Sequence, residues 1–147
     1  MRLTYAITVC NEARELNDLL SFLKRVKDEE DDINILIDST KVTEDVRNVL
    51  KKHEGLNVSE RAFCGNFSNH RNYHTSLCTG EYIFVIDADE MPRENLIKNI
   101  KRITLLTMCT KSLKKHWIIL RLIETKILKI IINRILIINK KILNDIS

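Results

Sequence analysis

The sequence predicts an α/β fold, a mostly parallel sheet flanked by helices, and three observations carry that prediction. Short apolar runs alternate with amphipathic stretches in the order strand, helix, strand, helix, strand, helix, strand, the pattern of an open sheet with right-handed crossovers. The runs are nearly continuous in β-branched and aromatic residues, as in strands buried on both faces. Polar groups follow the first, second and fourth runs: Asn11 and Glu12, Asp38, and Asp87 with Asp89. In open parallel sheets ligands bind beyond the carboxyl ends of the strands, where strand order reverses.

Taken in order, residues 5–9 form the first strand. Residues 11–27 place Leu16, Leu19, Leu20, Leu23 and Val26 at helical spacing, an amphipathic helix facing a core. The acidic run 28–32 reads as a solvated connector, and residues 33–37 as a second strand. Thr43 then caps a helix whose apolar stripe is Val46, Val49 and Leu50, with Gly55 ending it. Residues 56–60 make a weaker strand, and residues 66–78 a helix closed by Gly80. Pro92 sits at the first position of the next helix.

The chain is organised around residues 82–90, where Tyr82-Ile83-Phe84-Val85-Ile86 ends in Asp87-Ala88-Asp89-Glu90. Alternation along a strand points Asp87 and Asp89, the two acids of a D-x-D, the same way, roughly 6–7 Å apart. Two carboxylates so close repel unless something positive lies between them. A hard divalent cation carrying phosphates fills that place, since Mg²⁺ is held by one or two carboxylates plus phosphate oxygens. The plainer reading is a solvated strand-to-helix turn. Three strand ends with acids and amides on one rim favour the functional reading.

At 147 residues and 44% hydrophobic content, the chain can bury one core. Charge divides it: residues 1–100 carry 13 Lys/Arg against 18 Asp/Glu, and residues 101–147 carry 11 against 2. Two regions follow, an α/β domain over 1–100 and a basic Ile/Lys-rich helical tail over 101–147. No secretory signal is read at the start, no apolar run of 18 residues occurs, and four scattered cysteines suit a reducing cytoplasm. Within 118–142, Leu120, Ile123, Ile127, Ile130, Ile131, Ile135, Ile138 and Ile142 approximate a helical stripe, with Lys126, Lys129, Arg134, Lys140 and Lys141 largely off it. Such a helix suits peripheral contact with an anionic membrane; it equally suits packing on the sheet. A third reading is a frameshifted tail, because a shifted frame in an A/T-rich gene gives this composition. Nucleic-acid binding is not expected, as aromatics are sparse and no recognised motif accompanies the basic tail.

A strand ending in acids also suits an ATPase, but that needs a G-x-x-x-x-G-K-[ST] loop. Gly55, Gly65 and Gly80 form none, and no G-x-G-x-x-G follows the first strand. Any nucleotide must be held by side chains and metal. His70, His74 and Cys78 share one helical face, with Cys64 upstream, which is compatible with a structural zinc site. No C-x-x-C supports one, and the face must be buried in any case.

Residues 3–100 resemble the N-terminal half of a family 2 glycosyltransferase of the GT-A, nucleotide-diphospho-sugar-transferase fold. The matching pieces are Cys10-Asn11-Glu12, Leu36-Ile37-Asp38-Ser39-Thr40, residues 63–72 with Arg71-Asn72, and Thr79-Gly80-Glu81-Tyr82 leading into Phe84-Val85-Ile86-Asp87-Ala88-Asp89-Glu90. The resemblance is nearest in flavour to lipopolysaccharide-core sugar transferases. It implies a nucleotide-sugar donor, UDP-sugar ranked first, a saccharide or glycolipid acceptor, and inverting displacement at the anomeric carbon. It also implies roles: Asp38 at the base, Asn11 and Glu12 lining the nucleotide pocket, Arg71 on its diphosphate side, Asp87 at ribose or metal, and Asp89 on Mg²⁺ or Mn²⁺. Two departures stand out. Lys41-Val42 precedes Glu44 and Asp45 where a compact Ser/Thr-rich turn and an acid are expected. Nothing after residue 100 resembles the second half, which in this family carries the general base and most of the acceptor site. The expected protein is therefore a truncated transferase, inactive alone, or else a non-catalytic membrane-surface or partner-binding module on the same scaffold.

Overall fold

In a computed structural model, residues 1–112 are described, with side chains through residue 105. The amphipathic stretch 118–142 lies outside them. The order is β1 (Leu3–Val9), α1 (Ala13–Val26), β2 (Asp32–Asp38), α2 (Glu44–Lys52), β3 (Leu56–Arg61), α3 (Phe67–Leu77), β4 (Tyr82–Asp87) and α4 (Glu94–Ser112). All strand pairs are parallel and the sheet runs β3-β2-β1-β4. The chain moves outward from β1 through β2 to β3, then returns to place β4 on the other side of β1. The switch point lies between β1 and β4.

Strand alternation sorts the core into two faces. Leu3, Tyr5, Ile7 and Val9 of β1, Ile33, Ile35 and Ile37 of β2, and Tyr82, Phe84 and Ile86 of β4 share one cluster with leucines of α1, Val46 and Val49 of α2, and Ile97 and Ile100 of α4. Leu16, Leu19, Leu20 and Leu23 are each fully buried there, a burial worth about 1.5–3 kcal/mol per side chain. The other face is smaller and more polar: Ala6, Ile83 and Val85 meet Cys78, and α3 covers it. Asn34 Nδ2 donates to Leu77 O at 3.2 Å.

Several boundaries differ from the sequence expectation. Helix α1 starts at Ala13, not residue 11, because Glu12 turns its carboxylate back to the preceding turn. Helix α4 starts at Glu94, not Pro92; Arg93 O accepts from Leu96 N–H at 2.9 Å and begins the helical bonding there. Thr43 caps α2 as expected. Asn66 caps α3, accepting from Asn69 N–H at 3.0 Å, and Cys78 rather than Gly80 ends that helix. Gly80 has a different task. A Cβ there would meet Thr4 N at 2.6 Å, while Gly80 N–H donates to Thr4 Oγ1 at 2.8 Å.

The acidic run at residues 28–32 is a solvated connector only in part: Asp28, Glu29 and Glu30 are exposed, but Asp32 begins β2. Asp31 is buried, its Oδ1 accepting from Leu3 N–H at 2.9 Å and from Lys101 Nζ at 2.8 Å. Lys101 also bridges to Asp28 and Glu30, so α4 continues through the change of composition near residue 101. Burial works against its charge, but the hydrogen bonds that it donates to the Asp28, Asp31 and Glu30 carboxylates override it and raise the ammonium's affinity for its proton.

Candidate functional site

The carboxyl ends of β1, β2 and β4, with the first half of α3, enclose a cleft of about 360 Å³. The strand pattern dictates which side chains reach it. With Val9, Ile37 and Ile86 facing the large core, alternation turns Thr8, Asp38 and Asp87 toward α3. Asp38 and Asp87 stand on strands either side of β1, so twice the interstrand spacing, about 10 Å, separates the strands that carry them. Asp38 and the Asp87-Ala88-Asp89 turn line the same cleft.

At the β2 end, Asp38 is buried and half engaged. Its Oδ1 accepts from Thr40 N–H at 3.0 Å, Thr40 Oγ1–H at 2.7 Å and Phe63 N–H at 3.1 Å. Burial opposes the charge, but these bonds hold the carboxyl below its ordinary range. Oδ2 meets only the weak Cys10 thiol, at 3.9 Å. Burial, with Asp38 and Glu12 nearby, pushes that thiol up and keeps it protonated.

At the β4 end the strand stops at Asp87, so Asp89 sits on a turn and not on the strand face that the sequence suggested. Asp87 O accepts from Glu90 N–H at 2.9 Å, and Ala88 N–H donates to Thr8 O at 3.2 Å. Ala88 is thereby buried in the core while the acids on either side of it line the cleft. Arg71 Nη2 stands 3.9 Å from Asp87 Oδ1, with both side chains about half exposed. A pair of that kind is worth at most about 1 kcal/mol, so the guanidinium is available to an anion.

Glu12 and Asn11 differ from expectation in degree. Glu12 lines the cleft, but its Oε2 accepts from Cys10 N–H at 2.8 Å and Asn11 N–H at 3.0 Å, which shapes the β1–α1 turn. Asn11 is exposed and is not among the cleft-lining residues. Lining residues to which the sequence gave no role in this cleft include Cys10, Lys41, Phe63, Phe67 and His70. For His70 the signal was its place beside Arg71, one residue earlier on α3.

Two carboxylates, Asp87 and Asp89, are the hard-oxygen donors near the switch point, and they suit Mg²⁺ or Mn²⁺, which keep places for water and phosphate. Among the described residues no group of three His, Cys, Asp or Glu side chains is set to hold a metal, so His70, His74 and Cys78 make no zinc site. Both His74 nitrogens are engaged: Nε2 donates to Asn34 O at 3.3 Å, since a carbonyl only accepts, and Nδ1 then accepts from Thr8 Oγ1 at 3.4 Å. Burial lowers its pKa to about 4.

A sequence profile described as glycosyl transferase family 2 matches residues 4–103. The chain belongs to that family. No curated protein matches it. Among solved structures, Staphylococcus aureus TarS residues 1–349 is similar with a TM-score of 0.60 and 19% identity, over 69% of this chain and 32% of that one. TarS in complex with UDP-GlcNAc gives 0.54 and 18%, over 69% and 30%. The mannosyltransferase PcManGT from Pyrobaculum calidifontis, in complex with GDP-Man and Mn²⁺, gives 0.52 and 20%, over 68% and 31%. The four-stranded parallel sheet is thus the family 2, GT-A sheet, and this chain spans about a third of the length of those structures. No helix among the described residues is long and apolar enough to cross a membrane.

Proposed function

We propose that this chain carries the donor-binding half of a metal-dependent, inverting sugar transferase of the lipopolysaccharide-core kind. The donor is a nucleotide-diphospho-sugar, UDP-sugar first, and the acceptor a saccharide or glycolipid. The observation that carries the proposal is that Asp38 and the Asp87–Asp89 turn line one cleft at the topological switch of the sheet. The ligands of the similar structures, UDP-GlcNAc in one and GDP-Man with Mn²⁺ in another, support it.

In this reading Asp87 and Asp89 hold the cation. Bound there, it neutralises charge growing on the departing nucleoside diphosphate. Arg71 adds a second positive charge to the diphosphate side, and Asp38 Oδ2 accepts from the base. Inverting transfer also needs a carboxylate within reach of the acceptor hydroxyl. Glu12 and Asp38 each already accept at least two hydrogen bonds that shape their loops, so neither fits that role. The proposal therefore expects donor binding with little or no sugar transfer by this chain alone.

Thermal shift with nucleoside diphosphates, with and without Mn²⁺, tests it. Stabilisation that needs both nucleotide and Mn²⁺ is the expected result. No stabilisation by any diphosphate removes the donor site.

A further inference from the structure

One side chain in the cleft carries polar atoms for which the fold has no partner among the described residues. His70 is buried, 7% exposed, yet neither ring nitrogen has a hydrogen-bond partner among the described residues. Its backbone belongs to α3, its ring packs edge-on against Phe63 with centroids 5.5 Å apart, and the ring lines the cleft. A buried polar group left unpaired costs about 1–3 kcal/mol, and an apolar residue would fill the same space without that cost. The cleft has two unlike ends. Asp87, Asp89 and Arg71 form a charged, exposed end suited to a diphosphate and its cation. The other end is aromatic, with the Phe63 and Phe67 rings tilted by 48° at a centroid separation of 4.6 Å, and holds two open polar groups, His70 and Asp38 Oδ2. The nucleobase is the flat, weakly charged part of a nucleotide sugar, and only that end suits it.

We propose that His70 reads the nucleobase, its ring N–H donating to a base carbonyl while Asp38 Oδ2 accepts from the adjacent ring N–H. This rests on the donor-site reading above and goes further by naming the class of base. A neutral imidazole has one donor and one acceptor nitrogen, and burial together with Arg61 disfavours the charged form here, against the pull of Asp38. A carboxylate cannot donate, so the ring nitrogen opposite it must carry hydrogen. Uracil and guanine carry hydrogen on that nitrogen, beside a carbonyl. Cytosine and adenine present a bare ring nitrogen there, which Asp38 would repel.

Calorimetric titration of the full 147-residue chain with UDP, GDP, CDP and ADP, and with pyrophosphate, each in the presence of Mn²⁺, tests the proposal. The wild type should favour UDP or GDP over CDP and ADP by about tenfold or more, the worth of one buried hydrogen bond. His70→Phe should lose about tenfold for the favoured nucleotide, with pyrophosphate affinity unchanged, and His70→Gln, which keeps an N–H, should recover part of the loss. Unchanged base preference in His70→Phe overturns the proposal while leaving the donor site standing. If His70→Phe does not fold, a wild type that takes all four bases alike, or a His70→Gln variant weaker for pyrophosphate as well, overturns it. A wild type that binds neither nucleotides nor pyrophosphate removes the donor site and this proposal together.

Discussion

The two rims of the sheet carry the same residue types and treat them in opposite ways. At the amino ends of the strands most polar groups are paired within the chain, although Asp31 Oδ2 is buried without a hydrogen-bond partner among the described residues. Asp32 accepts from Thr4 Oγ1 at 2.6 Å, Thr79 Oγ1 at 3.0 Å and Asn57 Nδ2 at 3.2 Å, while Asp31 takes Lys101 and the Leu3 N–H. At the carboxyl ends Asp38 keeps one oxygen nearly open, both His70 nitrogens lack partners among the described residues, and Asp87 and Asp89 stand exposed. A carboxylate held in place with free lone pairs on an open cleft, as at Asp38, suits a partner from outside the chain; Asp31, away from that cleft, does not. One engaged by several donors is structure. The contrast separates the candidate binding residues from the packing residues better than residue type does.

That contrast can be broken first at the amino rim. Lys101→Met leaves the Asp31 side chain, 1% exposed, without its ammonium. Removing one partner of a buried pair is strongly destabilising, by about 3 kcal/mol here, and urea unfolding should register it while nucleotide affinity stays the same. Between the rims, His74 gives a pH test. Its pKa falls from 6.5 unfolded to about 4 folded, so the unfolded chain binds the extra proton. The stability this contributes is complete above pH 6.5 and is lost as pH falls toward 4. The loss is about 2 kcal/mol between pH 6.5 and 5, and His74→Gln should flatten that slope in denaturation midpoints. Gly80→Ala forces a methyl against Thr4 N, costing about 2 kcal/mol, seen as a lower melting temperature.

At the carboxyl rim the stability effect should be smallest. Asp89→Asn alters an exposed side chain on a turn and should change unfolding free energy by no more than about 0.5 kcal/mol. Its effect belongs to binding, as loss of the Mn²⁺-dependent thermal shift with nucleoside diphosphate.

The sheet was legible because burial on both faces forces continuous β-branched runs, and the parallel direction of the strands followed from crossovers of helical length; their order was not. That Asp38, Asp87 and Asp89 would meet on one cleft was legible because strand ends in such a sheet share a rim. The acidic run was misread because its neutralising partner, Lys101, lies 71 residues from Glu30 and inside a segment whose composition points elsewhere. Gly80 looked like a helix stop because close backbone approach to Thr4 leaves no trace in local sequence. Asn11 lies two residues past the end of β1, but the turn that Glu12 ties off carries it away from the cleft. His70 stayed ambiguous because a histidine on a buried helical face has the same spacing whether it packs, ligates or reads a ligand.

The most direct test sets the two rims side by side in one calorimetric titration of Mn²⁺ and UDP into wild type, Asp89→Asn and Lys101→Met. The account predicts that Asp89→Asn folds as well as wild type and does not bind, while Lys101→Met, though less stable, binds with wild-type affinity. Binding that survives in Asp89→Asn, or disappears in a folded Lys101→Met, would contradict it.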